Sequence, residues 1–468
     1  MISTRTEGNA LSSGSNTLRG RLLRGSSATA LGPVVTALVQ LVSVPVLLHA
    51  WGATRYGDWL LLSAIPSYLT LSDLGFGNAS GSDMSMRVAA NDRPGALATF
   101  QSSWVLVTIT SFTALLLALV SVWWVPWQRW LRLSTIANTD AAAVIVVFCA
   151  YVVVAQQNGV AESGYRCDGH FALGTFWNTM QRLSEAVAGT AVAVLGGSFL
   201  VVALTYLATR CVGSLSYALL LRHKSPWLHY GVRHANLTTI IDMVGPAFGF
   251  IALPAGTALS LQGFTIVVGA CLGPVAVVSF STLRTLSRLT FQVVSVITNA
   301  LWPELSRAFG AGNIPLARRL HRHACQASLG LSAVGGLFLW VFGPSIYHIW
   351  IRQKVPFDAT CFHILLFVAA ANSLWNTSSV ISMSINGHCR IAATYVGAAI
   401  CSLGLARILI PPFGEAGAAF ALLAADGWMT GVALRTALGQ VEDSHKNFLA
   451  ALLVVPRLRQ PLQGAPEV

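Results

Sequence analysis

The chain is short of charge. Only 10% of its 468 residues are Asp, Glu, Lys or Arg, where a soluble chain carries about 25%. Acids are the scarcer sign, 17 against 29 basic residues, for a formal net charge of +12. This shortage excludes a soluble enzyme, a soluble nucleic-acid-binding protein and a disordered scaffold, which need a wetted, charged exterior. Cysteine is sparse too, at 8 residues. None forms a Cys-x-x-Cys pair, so they read as small apolar filler rather than as metal ligands or disulfides. A Walker A string is missing, so the chain itself does not hydrolyse ATP. No cofactor and no metal are implied. No segment is long enough for a separate soluble domain.

What is present is apolar. Hydrophobic residues make up 54% of the chain, and the mean hydropathy is +0.64. They fall in blocks of about 20, the length that crosses a hydrocarbon core of about 30 Å. The first six run over Ser26–Ala50, Asp58–Asn78, Ser103–Trp124, Ala141–Val160, Leu173–Gly196 and Phe199–Leu221. The second six run over Met243–Cys271, Val275–Pro303, Ala324–Trp350, Thr360–Ser384, Ile391–Ile410 and Ala416–Leu438. The expected fold is an all-α polytopic membrane protein of about twelve transmembrane helices. The stretch before the first block is polar and Ser-rich, and that block is too long for a signal-peptide core. It reads as an uncleaved anchor behind a disordered tail over 1–25.

Basic residues fix the orientation. With both termini in the cytoplasm, the opposite side carries only Arg55, Arg129, Arg132, Arg352 and Lys354. The rest of the loop charge, including Arg19, Arg21, Arg24, Arg318, Arg319 and Arg322, stays inside, as the positive-inside rule requires. The basic balance therefore records topology, and no nucleic acid partner is implied.

Sliding the chain along itself by 221 residues aligns Gly52 with Gly273, Leu62 with Leu283, Asn78 with Asn299, Pro94 with Pro315 and Ala96 with Ala317. Spans and loops stay in register. Six spans per half give both halves the same orientation, a parallel pseudo-repeat. The expected organisation is an N-terminal lobe over 26–221, a basic cytoplasmic linker over 222–240, a C-terminal lobe over 241–438 and a cytoplasmic tail over 439–468. Two six-helix lobes around a central cavity is a transporter architecture. Loops on the outer side are short, the longest running over Val125–Asp140.

Ionisable groups at bilayer depth are costly and become functional candidates. In the eighth span Ser281, Arg284, Arg288, Gln292, Ser295 and Asn299 recur every three or four residues, one face of a continuous helix. That face lines either a helix seam or a water-filled cavity. The cavity is preferred, because two stacked Arg repel and few acids are available to oppose them. Desolvated Arg groups stay protonated and offer planar paired donors to phosphate. The repeat puts Ser63 and Ser67 where Arg284 and Arg288 stand, so the cavity should be more positive on its C-terminal side. In the fifth span Arg182 and Glu185 either pair with each other at i, i+3, or serve as a substrate contact and a protonatable carboxylate. Arg210, mid-span in the sixth, is a further cavity candidate. Asp73, in the string SDLGFGN, and Asp426, isolated in the twelfth span, complete the acids considered for ion coupling with Glu185. Pro246 and Pro254 are the expected bends in the seventh span. The string His321–His323 reads as loop surface.

The strings WGATRYGDW (Trp51–Trp59) and YLTLSDLGFGN (Tyr68–Asn78), with PELSR (Pro303–Arg307) and Gly312–Arg319, resemble motifs of the polysaccharide transporter family. These are the O-antigen and exopolysaccharide flippases of the multidrug/oligosaccharidyl-lipid/polysaccharide exporter superfamily. The motifs cover about a sixth of the chain, while length and span number fit throughout. The resemblance implies two six-helix lobes in a V, and movement of a polyprenyl-diphosphate-linked oligosaccharide across the bacterial inner membrane by alternating access. It also implies basic cavity residues that hold the diphosphate. The helical reading supplies Arg284, Arg288, Arg182 and Arg210 for that task, with Gln292 and Asn299 beside them. The expected partners are the lipid-linked oligosaccharide, membrane lipids, and polysaccharide polymerase and export proteins, with the chain itself a monomer. A cation-coupled multidrug antiporter of the same fold would need an acidic, aromatic cavity. A membrane polymerase or ligase would need a larger outer loop.

Overall fold

The computed structural model describes the backbone of residues 7–68, 76–122, 124–385 and 387–453. Asp73 and the side chains of Pro246 and Asn299 lie outside the described residues. Among these residues no strand occurs. The helices are α1 (Glu7–Ala64), α2 (Phe76–Ala89), α3 (Arg93–Val122), α4 (Trp127–Trp130), α5 (Asn138–Cys167), α6 (Phe171–Val194), α7 (Phe199–Lys224) and α8 (Leu237–Ala258). They continue as α9 (Phe264–Leu272), α10 (Pro274–Ser287), α11 (Leu289–Gly310), α12 (Ile314–Ile351), α13 (Ala359–Ser384), α14 (Cys389–Phe413), α15 (Glu415–Gln440) and α16 (His445–Leu453).

These elements trace twelve passages of a multi-pass membrane protein. A straight helix as long as α1 would reach about 87 Å, far more than a bilayer. Gly52 resolves this. It sits at φ 74°, ψ 170°, a region only glycine occupies cheaply, and there the first passage turns into the second. Gly273, its partner in the repeat, does the same at φ 88°, ψ 179° between α9 and α10. The correspondence extends to the other end. Asn91 (φ 62°) and Gly312 (φ 67°) both take left-handed turns. The next residues, Asp92 and Asn313, each accept a hydrogen bond from the amide three positions on, at 2.9 and 3.0 Å. These are N-caps for α3 and α12.

Nine of the described helices are long and apolar enough to span by themselves. The second, fifth and eighth passages are not among them. The second and eighth are broken in mid-course. The expected continuous face of the eighth passage is interrupted at Arg288, where α10 ends and α11 begins. The fifth, α6, is diluted by its polar residues. In the seventh passage α8 runs through Pro246 and Pro254, and the irregularity comes later, in a π-turn at Leu259–Gly263.

Two further expectations change. The segment 1–25 is not all tail, because α1 begins at Glu7. The segment after α15 includes α16, which docks on α12. Phe448 stacks on His321 at 5.4 Å, and Arg322 binds Asp443 through two hydrogen bonds of 2.8 and 2.6 Å. His321 therefore lies in a helix, fully buried, with its Nε2 3.2 Å from Ser378 Oγ.

The two lobes share one apolar core near the Gly52 and Gly273 turns, where Leu48, Trp59 and Phe148 join Phe280, Leu283 and Phe362. At the end nearer the termini the cores are separate. Met84, Phe100 and Tyr165 pack in one lobe, and Leu305, Ala317 and Val441 in the other. At the shared end the backbones touch. A Cβ on Gly57 would lie 2.1 Å from the Pro274 carbonyl oxygen.

Candidate functional site

Two polar clusters lie at depth, one in each lobe. In the N-terminal lobe α6 and α7 face each other. Arg210 donates from Nη2 to Glu185 Oε2 at 2.7 Å, and Tyr151 OH donates to the same oxygen at 2.8 Å. The guanidinium also lies 4.7 Å from the Tyr151 ring centre. Glu185 is 3% exposed and Arg210 6%. The i, i+3 pairing of Arg182 with Glu185 does not occur. Glu185 reaches across to α7 instead, and Arg182 stands exposed with no ion pair among the described residues. Gln181 ties the cluster down, donating to the Arg210 carbonyl at 3.2 Å and accepting from Asn158 at 3.0 Å. Both charges are compensated and enclosed. Arg210 is therefore committed to Glu185 in this conformation and unavailable to a head group.

In the C-terminal lobe the polar groups surround open space, a cavity of about 260 Å³. It is walled by the π-turn, the α10–α11 break, α13, α14 and α15. A π-turn widens the hydrogen-bond ladder and frees carbonyls. Arg284 takes them, donating from both terminal nitrogens to Leu261 O at 3.2 Å and from Nη1 to Ser260 O at 3.4 Å. A further bond reaches Thr265 Oγ1 at 3.4 Å. Arg288 lines the same cavity, its guanidinium 5.7 Å from the Phe291 ring centre. Its side chain makes no hydrogen bond or ion pair among the described residues.

Opposite stands Asp426, 7% exposed. Its Oδ1 accepts from Trp375 Nε1 at 2.7 Å and from Asn372 Nδ2 at 3.0 Å. Asn376 and Tyr395 complete the polar lining, and Tyr395 OH lies 3.3 Å from Ser260 Oγ. The structure thus brings together Arg284, Arg288 and Asp426, and places Arg182, Arg210 and Glu185 elsewhere. Gln292 is half-buried beyond the break and does not line the cavity.

Asn372, Trp375, Asn376 and Tyr395 were not singled out from the sequence. The signal was there in the string Asn372–Asn376 (NSLWN), where two amides and an indole follow the apolar run Ile364–Ala371 of the tenth span. In arrangement the cavity offers two cations, one carboxylate, paired amides and aromatic faces. That set suits an anion carrying hydroxyl-rich or planar groups.

Comparisons with known proteins agree with this architecture. An inward-facing multidrug resistance MATE family transporter of the MOP superfamily superposes with a TM-score of 0.71 at 14% identity, over 88% of this chain and 98% of that one. An outward-facing form of such a transporter gives 0.65 at 14%, over 90% and 95%. A MOP superfamily transporter from Pyrococcus furiosus, described as having a binding pocket of reverse polarity, gives 0.68 at 14%, over 90% and 95%. These likenesses are of fold. No curated protein matches the chain. The family described as polysaccharide biosynthesis protein matches residues 22–309, more than half of the length. The chain belongs to that polysaccharide biosynthesis family and has the fold of a MOP superfamily membrane transporter.

Proposed function

We propose that this protein flips a polyprenyl-diphosphate-linked oligosaccharide, an O-antigen or exopolysaccharide repeat unit, across the bacterial inner membrane. The observation that carries the reading is the pair Arg284 and Arg288 on the wall of an open C-lobe cavity. The diphosphate docks there from the cytoplasmic side, where both termini lie. Arg284 is held by the π-turn carbonyls and keeps a fixed positive field. Arg288, whose side chain makes no hydrogen bond among the described residues, is the mobile donor. Asn372, Asn376 and Trp375 face the first sugar, and the lipid tail remains in the bilayer. The lobes then rock about their shared apolar core and the head group leaves on the other side.

The test is complementation in a host lacking the gene. Wild type restores surface polysaccharide. Arg284→Gln with Arg288→Gln, expressed at wild-type level, leaves complete repeat units on the cytoplasmic face. Normal polysaccharide in that double variant removes the site.

A second reading has support in Asp426, Trp375 and Tyr395, an acid with aromatics of the kind that a cation-coupled multidrug antiporter uses. Two cations against one acid in the same cavity favour the anion. Unchanged glycan with altered drug sensitivity in the deletion strain would reverse that preference.

A further inference from the structure

Arg288 and Asp426 line one cavity, carry opposite charge, and are not within ion-pair distance of each other. The same lobe therefore holds an unspent cation and an unspent carboxylate edge. Both hydrogen bonds to Asp426 arrive at Oδ1, leaving Oδ2 with no partner among the described residues. The two donors, both on α13, tie the α15 carboxylate in place and keep it from following substrate. Arg288, at a break between helices and with a side chain that makes no hydrogen bond among the described residues, is the partner that moves.

We infer that Asp426 is a built-in competitor for Arg288, its carboxylate and the anionic group of the cargo taking turns as counter-charge of the same guanidinium. The inference rests on the transport reading in one respect, that the cavity receives an anion. Its physical basis is the need to let go. Two arginines in a low-dielectric pocket would hold a diphosphate too firmly for turnover, and a carrier needs binding weak enough to release. A tethered carboxylate supplies a rival at high effective concentration. With Asp426 ionised the cavity carries one net positive charge, and with it neutral, two. The charged or titratable groups facing Asp426 are Arg284 and Arg288 from the α10–α11 break and Tyr395 from α14. The α13 and π-turn contributions, Asn372, Trp375, Asn376 and Ser260, are neutral. Among the described residues no other acid lines the cavity. Asp426 is thus a positioning residue: it sets how firmly cargo is held, through Arg288.

Inorganic pyrophosphate, titrated calorimetrically into the full-length chain in detergent near neutral pH, is the test. Asp426→Asn keeps a side chain of the same shape and is expected to bind pyrophosphate about tenfold more tightly than wild type. In an Arg288→Gln background the same substitution is expected to change nothing, since the rival has lost its object. A purely structural role for Asp426 predicts weaker binding and a lower melting temperature, and that outcome overturns the inference. So does a gain that persists without Arg288. Pyrophosphate binding in wild type with no gain in Asp426→Asn sinks the competitor while leaving the anion site standing. Binding by none of these chains removes the anion site, and both readings with it.

Discussion

The two lobes are built on one plan and filled in opposite ways. Gly52 and Gly273 make the same glycine-only turn, and Asp92 and Asn313 cap corresponding helices. Tyr151 and Asn372 are 221 residues apart and begin the same contact. Tyr151 meets Arg210 on α7, and Asn372 meets Asp426 on α15. Arg210 and Asp426 lie equally far from the starts of their helices, Phe199 and Glu415. Counted from those helix starts, the first lobe has a cation where the second has an anion. In the first lobe the charge is closed off by Glu185 at 2.7 Å, and in the second it faces a cavity. A scaffold that tolerates either sign there can assign one lobe to rigidity and the other to binding.

Experiments that break this contrast differ in expected size. The largest effect is on transport. Loss of the arginine pair Arg284 and Arg288 should abolish it in the complementation test. Replacing the N-lobe pair with apolar groups of similar size, Arg210→Met with Glu185→Leu, should leave most of it. Equal loss from both would show that the lobes are not divided in this way.

Next comes stability. Arg210→Ala strands Glu185 without its partner, and removing one member of a buried pair costs about 3–5 kcal/mol. Thermal unfolding in detergent should show a large drop, largely restored in the apolar double variant. Smaller again are the glycine turns. Ala at Gly52 or at Gly273 meets no neighbour within 4 Å, so each pays only for backbone strain, about 1–3 kcal/mol. The two costs should match if the repeat is real, and a mismatch in melting temperature would count against it.

The smallest effect concerns the ends of the lobes. Gln101 and Arg322 are also repeat equivalents, and each fastens the chain that leaves its lobe. Gln101 Nε2 donates to the His229 carbonyl at 3.1 Å, and its Oε1 accepts from the His234 amide at 2.8 Å. Arg322 instead uses charge, holding Asp443 below the usual carboxylate range by its hydrogen bonds. The sign follows. A carboxylate whose folded pKa is depressed stabilises the fold above its unfolded value, about 3.9, and loses that contribution as pH falls through the folded value. Asp443→Asn should remove this acid-side loss, whereas Gln101→Ala should lower the melting temperature equally at every pH.

Much of this was legible in the chain itself. Twelve apolar blocks and the Gly52–Gly273 register mark the passages, because burial in lipid demands runs of fixed length. Arg284 and Arg288 stood out because charge inside such a run is rare. What periodicity along one helix cannot convey is which helix lies opposite. Spacing along α6 therefore offers Arg182 as one possible partner for Glu185, whereas its partner is Arg210 on α7. The π-turn at Leu259–Gly263 left no compositional mark, since its five residues would suit an ordinary helix. It is visible only once Arg284 is seen occupying its carbonyls. The break at Arg288 was hidden for a related reason, since its backbone stays in the right-handed helical region.

The contact of Gly57 with Pro274 bears on a property unrelated to cargo. An energised membrane is a capacitor, and a protein with a wide internal cavity threatens to short it. Two backbones too close to admit a methyl group also leave no room between them for a file of water, and no side-chain rotamers whose flicker would open one. At that seam the insulation of this conformation is set by the close approach of two backbones rather than by side chains, and it must part when the lobes rock to release cargo.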